Sequence, residues 1–141
     1  MDNVDVIRTL EEAYNQQDYA TVDRWLAPDL VAHTPGAEMM PPGAEGAKMA
    51  DMGTHQSFPD KRTEILDIFG DGDRVVVHVR MTGTNDGGLS WANIPANGRK
   101  VDVDWIQISR HDADGKVVET WAQMDTPKLM TQLGAMTGME G

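Results

Sequence analysis

Apolar residues recur at helical spacing near the start of the chain, where Ile7, Leu10 and Tyr14 are separated by three or four positions. The positions opposite them are polar: Arg8, Glu11, Glu12 and Gln16. This pattern predicts an amphipathic helix over residues 4–17 that buries one of its faces.

Two further helices are expected before the pattern changes. Asp18 can cap a short helix, and Pro28 ends it because proline disfavours the helical conformation in the residue before it. The apolar face of this helix consists of Val22, Trp25 and Leu26. A third helix is predicted over 44–57, although Gly46 and Gly53 weaken it.

Alternating apolar and polar residues, separated by turn-forming glycines and aspartates, dominate the second half of the chain. The predicted strands cover residues 30–34, 61–69, 74–84, 100–110 and 116–125. Helices that precede an antiparallel sheet are typical of an α+β domain. We expect one domain over residues 1–141, with a frayed tail at 135–141.

The last predicted strand, VVETWAQMD, carries an unusual mixture of side chains on one face. With a side-chain period of two, Glu119, Trp121, Gln123 and Asp125 share that face with Val117. Acids beside an indole indicate a lined cavity that contains one ionisable group. An ordinary edge strand whose acids point to water is the alternative.

The neighbouring strand suggests what would surround that acid. If both strands present the same face, Trp105 and Gln107 join Trp121 and Gln123 around the carboxylate of Asp125. Desolvation against indoles would raise the pKa of Asp125, as a general acid or base near neutral pH requires. A β-bulge would change this arrangement, because bulges shift the register.

His33 ends an otherwise apolar strand and is the histidine best placed to be a second proton carrier. A hydrogen-bonded structural role is the alternative for His33, and His55, His78 and His111 are each expected to be structural or solvated. No histidine pair has the spacing of a metal site. We therefore expect no metal and no cofactor.

Composition excludes several classes of function. The formal charge is −11, from 12 basic and 23 acidic residues, so nucleic acids and anionic membranes would be repelled. With no cysteine, the chain has neither a thiolate metal site nor a cysteine nucleophile. The acidic N-terminus is unlike a signal peptide, and we expect a cytoplasmic protein.

Several segments together resemble the SnoaL-like polyketide cyclase or ester cyclase family of the nuclear-transport-factor-2-like superfamily. They are residues 14–18, 30–35, 58–60, 70–75, 82–84, 94–99 and 115–121, with Asp125 and residues 132–134. The resemblance covers nearly the whole chain. It implies a cone-shaped barrel in which a curved antiparallel or mixed sheet wraps around the N-terminal helices.

The resemblance also implies a function. Cyclases of this family close the last ring of aromatic polyketides by intramolecular aldol condensation, without metal or cofactor. Asp125 is similar in position to the family's general acid/base, and Tyr14 to an aromatic residue that approaches the substrate. Where many relatives have a histidine this chain has Asn85, so any role of that imidazole is lost. A homodimer is expected, mainly from the resemblance.

Three functions remain open at this point. The first is a cyclase for a small hydrophobic, carbonyl-bearing substrate, with Asp125 and His33 as catalytic residues. Its substrate would contact Tyr14, Trp105, Gln107, Trp121 and Gln123. The second is an isomerase or an epoxide hydrolase; the latter needs an arginine between two acids. The third is a non-catalytic module that binds an apolar ligand and leaves Asp125 salt-bridged or in solvent.

Overall fold

The structure, a computed structural model, describes residues 1–136. Within these residues the helices are α1 (Asn3–Gln16), α2 (Tyr19–Trp25), α3 (Gly43–Ser57) and α4 (Thr126–Gln132). The strands are β1 (Leu26–His33), β2 (Arg62–Asp71), β3 (Arg74–Thr84), β4 (Lys100–His111) and β5 (Val117–Met124). Most of the predicted frayed tail, from residue 137 onward, lies outside the described residues.

The strands form one mixed sheet in the order β1-β5-β4-β3-β2. β1 is parallel to β5, and the other neighbouring pairs are antiparallel. α1 packs along β2 and β3, and α3 packs on β1. The predicted α+β class is confirmed. None of the helices in residues 1–136 is both long and apolar enough to cross a lipid bilayer.

Aspartate caps fix where the first two helices begin. The carboxylate of Asp2 accepts a hydrogen bond from the Asp5 amide at 2.8 Å, and Asp18 accepts one from the Thr21 amide at 3.2 Å. The predicted reason for the end of α2 is wrong, because α2 ends at Trp25 and Pro28 lies inside β1. β1 is an edge strand, where a proline is tolerated.

The glycines of α3 do not prevent this helix from forming. A Cβ atom at Gly46 would lie only 1.8 Å from the carbonyl oxygen of Pro41. Gly46 therefore allows the preceding loop to pass directly over the helix, and this contact offsets the low helix propensity of glycine.

Two apolar clusters fill the space between the helices and the inner face of the sheet. Val75, Val77 and Val79 of β3 are at most 1% exposed and belong to the first cluster, with α1 and α2. The second cluster lies around Phe58 and the end of β3. Trp105 packs against both clusters, so it marks their junction.

Candidate functional site

A β-bulge in β5 determines which way the predicted site residues face. Arg110 pairs with Glu119, whereas the next residue, His111, pairs with Val117, so β5 holds one extra residue at Val118. Val117 is buried in the core at 1% exposure, and Glu119 lies on the other face of the sheet. The predicted sharing of one face by Val117 and Glu119 is therefore wrong.

The two tryptophans and two glutamines that were predicted to surround Asp125 lie on opposite faces of the sheet. β4 is regular, so Trp105 and Gln107 point inward, and they pair with Met124 and Ala122. Trp121 and Gln123 pair with residues of the outer face of β4, namely Ile108 and Ile106. The expectation that all four surround one carboxylate is wrong, because the bulge turns Trp121 and Gln123 outward.

Asp125 caps a helix and is exposed. It follows β5 directly, and its carboxylate accepts a hydrogen bond from the Lys128 amide at 3.0 Å, which fixes the start of α4. The expected enclosure of this carboxyl group is therefore wrong. Exposure of Asp125 is what the binding-module alternative predicts, and a catalytic role for Asp125 stays a prediction.

His33 and Trp121 meet on the outer face of the sheet. Their rings stack with centroids 5.4 Å apart, and His33 Nε2 lies 2.7 Å from Glu119 Oε2. Arg110 donates to the other oxygen of Glu119 at 3.1 Å, and Arg74 lies over the Trp121 ring. The hydrogen bond from His33, with help from Arg110, holds the pKa of Glu119 below its usual value.

This outer group is open to solvent. The side chain of His33 is 47% exposed, and with Gln123 it lines an open depression at the edge of the sheet. The outer face thus brings together His33, Trp121 and Gln123 without enclosing them.

Tyr14, Trp105 and Gln107 point into the interior and keep free polar groups there. All three are partly buried, and Tyr14 and Trp105 pack against the core. Within residues 1–136 every fully enclosed polar side-chain atom has a hydrogen-bond partner, and these three side chains have none. Each of these polar atoms can therefore be reached by a water-sized molecule, and we use the name inner hollow for the inward-facing region around Tyr14, Trp105 and Gln107.

A buried ion pair, which the sequence analysis missed, lies near Tyr14. The side chains of Asp51 and Lys61 are 8% and 6% exposed, and Lys61 Nζ donates to Asp51 Oδ1. The Tyr19 hydroxyl donates to Asp51 Oδ2 at 2.7 Å, and His55 Nε2 lies 3.3 Å from the same oxygen. Asp51 thereby contacts three partners, which come from α2, from α3 and from the residue directly before β2.

Glu11, which we placed on the solvent face of α1, is instead turned toward β2. Its Oε2 lies 3.2 Å from the Thr63 hydroxyl. The Thr63 N–H donates to Asn15 Oδ1, and the Thr63 carbonyl accepts from Asn15 Nδ2, so the Thr63 backbone is held in place. Burial raises the pKa of Glu11 to about 7, although Lys61 opposes the shift. Burial, and then the charge of Glu11, raise the pKa of Tyr14.

A weak signal for these residues exists in the sequence. Glu11 lies four residues after Ile7 and three before Tyr14, so it borders the apolar stripe of α1. Asp51 and His55 are four apart on α3, where an acid and a histidine face the same way. Neither pattern reveals burial, which depends on the contact with Lys61 and Thr63 of another element.

The arrangement needed for epoxide opening is not found around Asp125 in residues 1–136. Arg80 does connect two acids, donating to Asp102 at 2.8 and 2.6 Å and to Glu64 at 3.1 Å, but it lies on the exposed outer face. Arg110 contacts Glu119. Among the same residues no three acidic or histidine side chains are grouped so as to hold a metal ion.

Asn85 organises the long connection between β3 and β4. Its amide is fully buried, donates to the Pro95 carbonyl and to Asn97 Oδ1 at 3.0 Å each, and accepts from the Gly88 amide at 2.8 Å. Leu89 and Ile94 anchor the same segment in the second apolar cluster. In this chain the position therefore carries a structural amide.

Helices packed over the inner face of a mixed five-stranded sheet, with polar groups turned into the space between, define an α+β fold of the nuclear-transport-factor-2-like type. The sequence model of SnoaL-like polyketide cyclases matches residues 4–133. The chain belongs to this family. A comparison with curated proteins found no significant match.

Solved structures give the same result. Wild-type IdmH from Streptomyces antibioticus, named as a candidate polyketide cyclase, is 32% identical, with 95% of this chain and 99% of IdmH covered and a TM-score of 0.81. TsrD from Streptomyces laurentii is 28% identical over 94% of each chain, with a TM-score of 0.82. A SnoaL-like polyketide cyclase from Agrobacterium tumefaciens has a TM-score of 0.77 at 18% identity, which shows the fold alone.

Proposed function

We propose that this protein is a cyclase that closes a ring by intramolecular aldol condensation, and that the reaction takes place in the inner hollow. The observation that carries the proposal is that the inward-facing polar groups of Tyr14, Trp105 and Gln107 have no hydrogen-bond partner within residues 1–136, while Trp105 packs against both apolar clusters. An apolar cavity with a few convergent polar groups suits a hydrophobic substrate that bears carbonyl groups.

The chemistry assigned to these residues is proton transfer and oxygen binding. A base removes a proton from the carbon next to one carbonyl group, and the enolate oxygen accepts hydrogen bonds from the Tyr14 hydroxyl and the Gln107 amide. The enolate carbon then bonds to a second carbonyl carbon of the same molecule. The base then returns its proton to the alkoxide formed at that carbon. The reaction therefore requires no metal or cofactor.

Trp105 would supply the stacking surface for a polycyclic substrate. It lies at the junction of the two clusters, so apolar side chains surround the place where an aromatic ring would lie against it. An isomerase would use the same first step and return the proton to another carbon. A binding module would hold the ligand without removing a proton.

A deuterium-exchange assay on a ketone distinguishes a catalyst from a protein that only binds the ligand. In D2O the protein should accelerate loss of the α-proton signals of 2-tetralone, a bicyclic ketone, by at least about 10²-fold over buffer, as general base catalysis allows. Trp105→Phe should reduce the rate, whereas the matched outer-face change Trp121→Phe should leave it unchanged. No acceleration by the wild-type protein, or equal losses in the two variants, would refute the proposal.

We also propose that two copies associate through the outer face of the sheet. An apolar row crosses four strands there, because Phe69 pairs with Val76, Val76 with Ile108, and Ile108 with Trp121. Phe69 is 57% exposed, and Ile106 beside the row is 52% exposed. A continuous apolar surface of this kind favours a self-complementary contact.

A further inference from the structure

We propose that Glu11 is the catalytic residue that carries the proton in the inner hollow. The inference rests on the proposed function, since it assigns the base of the same reaction. Asp125 and His33, the residues predicted for this role, lie outside the hollow, at an exposed helix cap and on the outer face of the sheet.

The position of Glu11 on α1 brings its carboxyl group toward the hollow. Glu11 precedes Tyr14 by three residues, so both side chains lie on the same side of the helix. Glu11 Oε2 contacts the Thr63 hydroxyl, whereas Oε1 has no hydrogen-bond partner within residues 1–136. Because enclosed polar atoms there all have partners, Oε1 reaches accessible space and is free to contact a substrate.

The Thr63 hydroxyl can form a hydrogen bond with Glu11 in both protonation states of the carboxyl group. When Glu11 is ionised, the Thr63 hydroxyl donates to Oε2 at 3.2 Å. When Glu11 is protonated, the same hydroxyl can accept from Oε2 and donate instead to Asn15 Oδ1, which is 3.1 Å away. Since Asn15 also clamps the Thr63 backbone, the switch needs only rotation of one hydroxyl group.

Within residues 1–136 no lysine or arginine side chain forms an ion pair with Glu11. Lys61, whose charge acts on Glu11, is already paired with Asp51. Burial is the main cause that raises the pKa of Glu11 to about 7, and the charge of Asp51 adds to it. A carboxyl group with this pKa can both accept and return a proton near neutral pH.

Tyr14 would stabilise the enolate that forms when Glu11 removes the proton. Its raised pKa, caused mainly by burial and then by Glu11, keeps the phenol protonated. The hydroxyl can therefore donate a hydrogen bond to the enolate oxygen while Glu11 holds the proton taken from carbon. The electron pair of the broken C–H bond becomes the enolate, and no oxidant or reductant is needed.

The test compares variants in the 2-tetralone exchange assay. Glu11→Gln should lose at least about 10²-fold in rate while still binding the ketone. Glu12→Gln, the same change at the next and exposed residue, and Asp125→Asn should exchange at the wild-type rate. Unchanged exchange in Glu11→Gln, or loss in Asp125→Asn, would overturn the assignment of Glu11 and leave the proposed function intact. Absence of exchange in the wild-type protein would overturn both.

A readout independent of activity is the titration of Glu11 itself. A carboxyl ¹³C signal that disappears in Glu11→Gln should titrate with a pKa of about 7. Because the folded protein then binds a proton that the unfolded chain has already released, wild-type stability should fall from pH 5 to pH 8 relative to Glu11→Gln. A midpoint near the ordinary glutamate value of 4.5, or parallel pH profiles, would contradict the proposal.

Discussion

Replacing Asp51 by alanine should lower the free energy of unfolding by about 3–5 kcal/mol, the largest loss of stability that we expect from a single charge removal. The substitution removes the carboxylate that pairs with the Lys61 ammonium group, which is buried at 6% exposure. It also removes the acceptor of the Tyr19 hydroxyl. Chemical denaturation of both proteins at pH 7 gives the difference directly.

The matched control removes an aspartate from an exposed ion pair. Asp102→Ala breaks the two hydrogen bonds from Arg80 on the outer face, where the side chains are 54% and 44% exposed, and should cost less than about 1 kcal/mol. The double variant Asp51→Asn/Lys61→Met removes both buried charges and keeps an acceptor for Tyr19, so it should recover most of the loss. Equal losses for Asp51→Ala and Asp102→Ala would contradict burial of the pair.

Replacing Ile106 by glutamate should convert the proposed dimer into a monomer. Ile106 lies on the outer face, 52% exposed, beside the apolar row that includes Trp121. In a two-fold symmetric contact the change brings two carboxylates into the interface. We expect a loss of about 3 kcal/mol in association, which is about 10²-fold in Kd.

Sedimentation velocity across a concentration series measures this effect. Met49→Glu is the control, because Met49 is an apolar residue of α3 with 43% exposure on the helical layer. It should leave the wild-type dimer unchanged. A wild-type protein that sediments as a monomer, or an Ile106→Glu variant that remains a dimer, would remove the outer face as the interface.

Local patterns were sufficient for most of the fold. The alternation in β3 predicted residues 74–84, and the structure has Arg74–Thr84. The apolar spacing in α1 predicted residues 4–17, and the structure has Asn3–Gln16. In both elements one face is buried against the same core, so the chemical pattern and the geometry agree.

The site was harder to predict because two of its features depend on contacts between distant elements. One extra residue at Val118 turns Trp121 and Gln123 outward, and no alternation within β5 reveals that bulge. Glu11 has the spacing of a half-buried position, but its environment comes from Thr63 and Lys61 on another element. Tyr14, Trp105 and Gln107 face inward because α1 and β4 are regular, and their role in substrate binding stays a prediction.

The central claim is that the substrate binds in the inner hollow and not on the outer face. The indole groups of Trp105, on the inner face of the sheet, and of Trp121, on the outer face, report on these two places. Titration of ¹⁵N-labelled protein with 2-tetralone should shift the indole N–H signal of Trp105 and leave that of Trp121 unchanged, with Trp→Phe variants giving the assignments. A shift of the Trp121 signal while that of Trp105 stays in place would contradict the account.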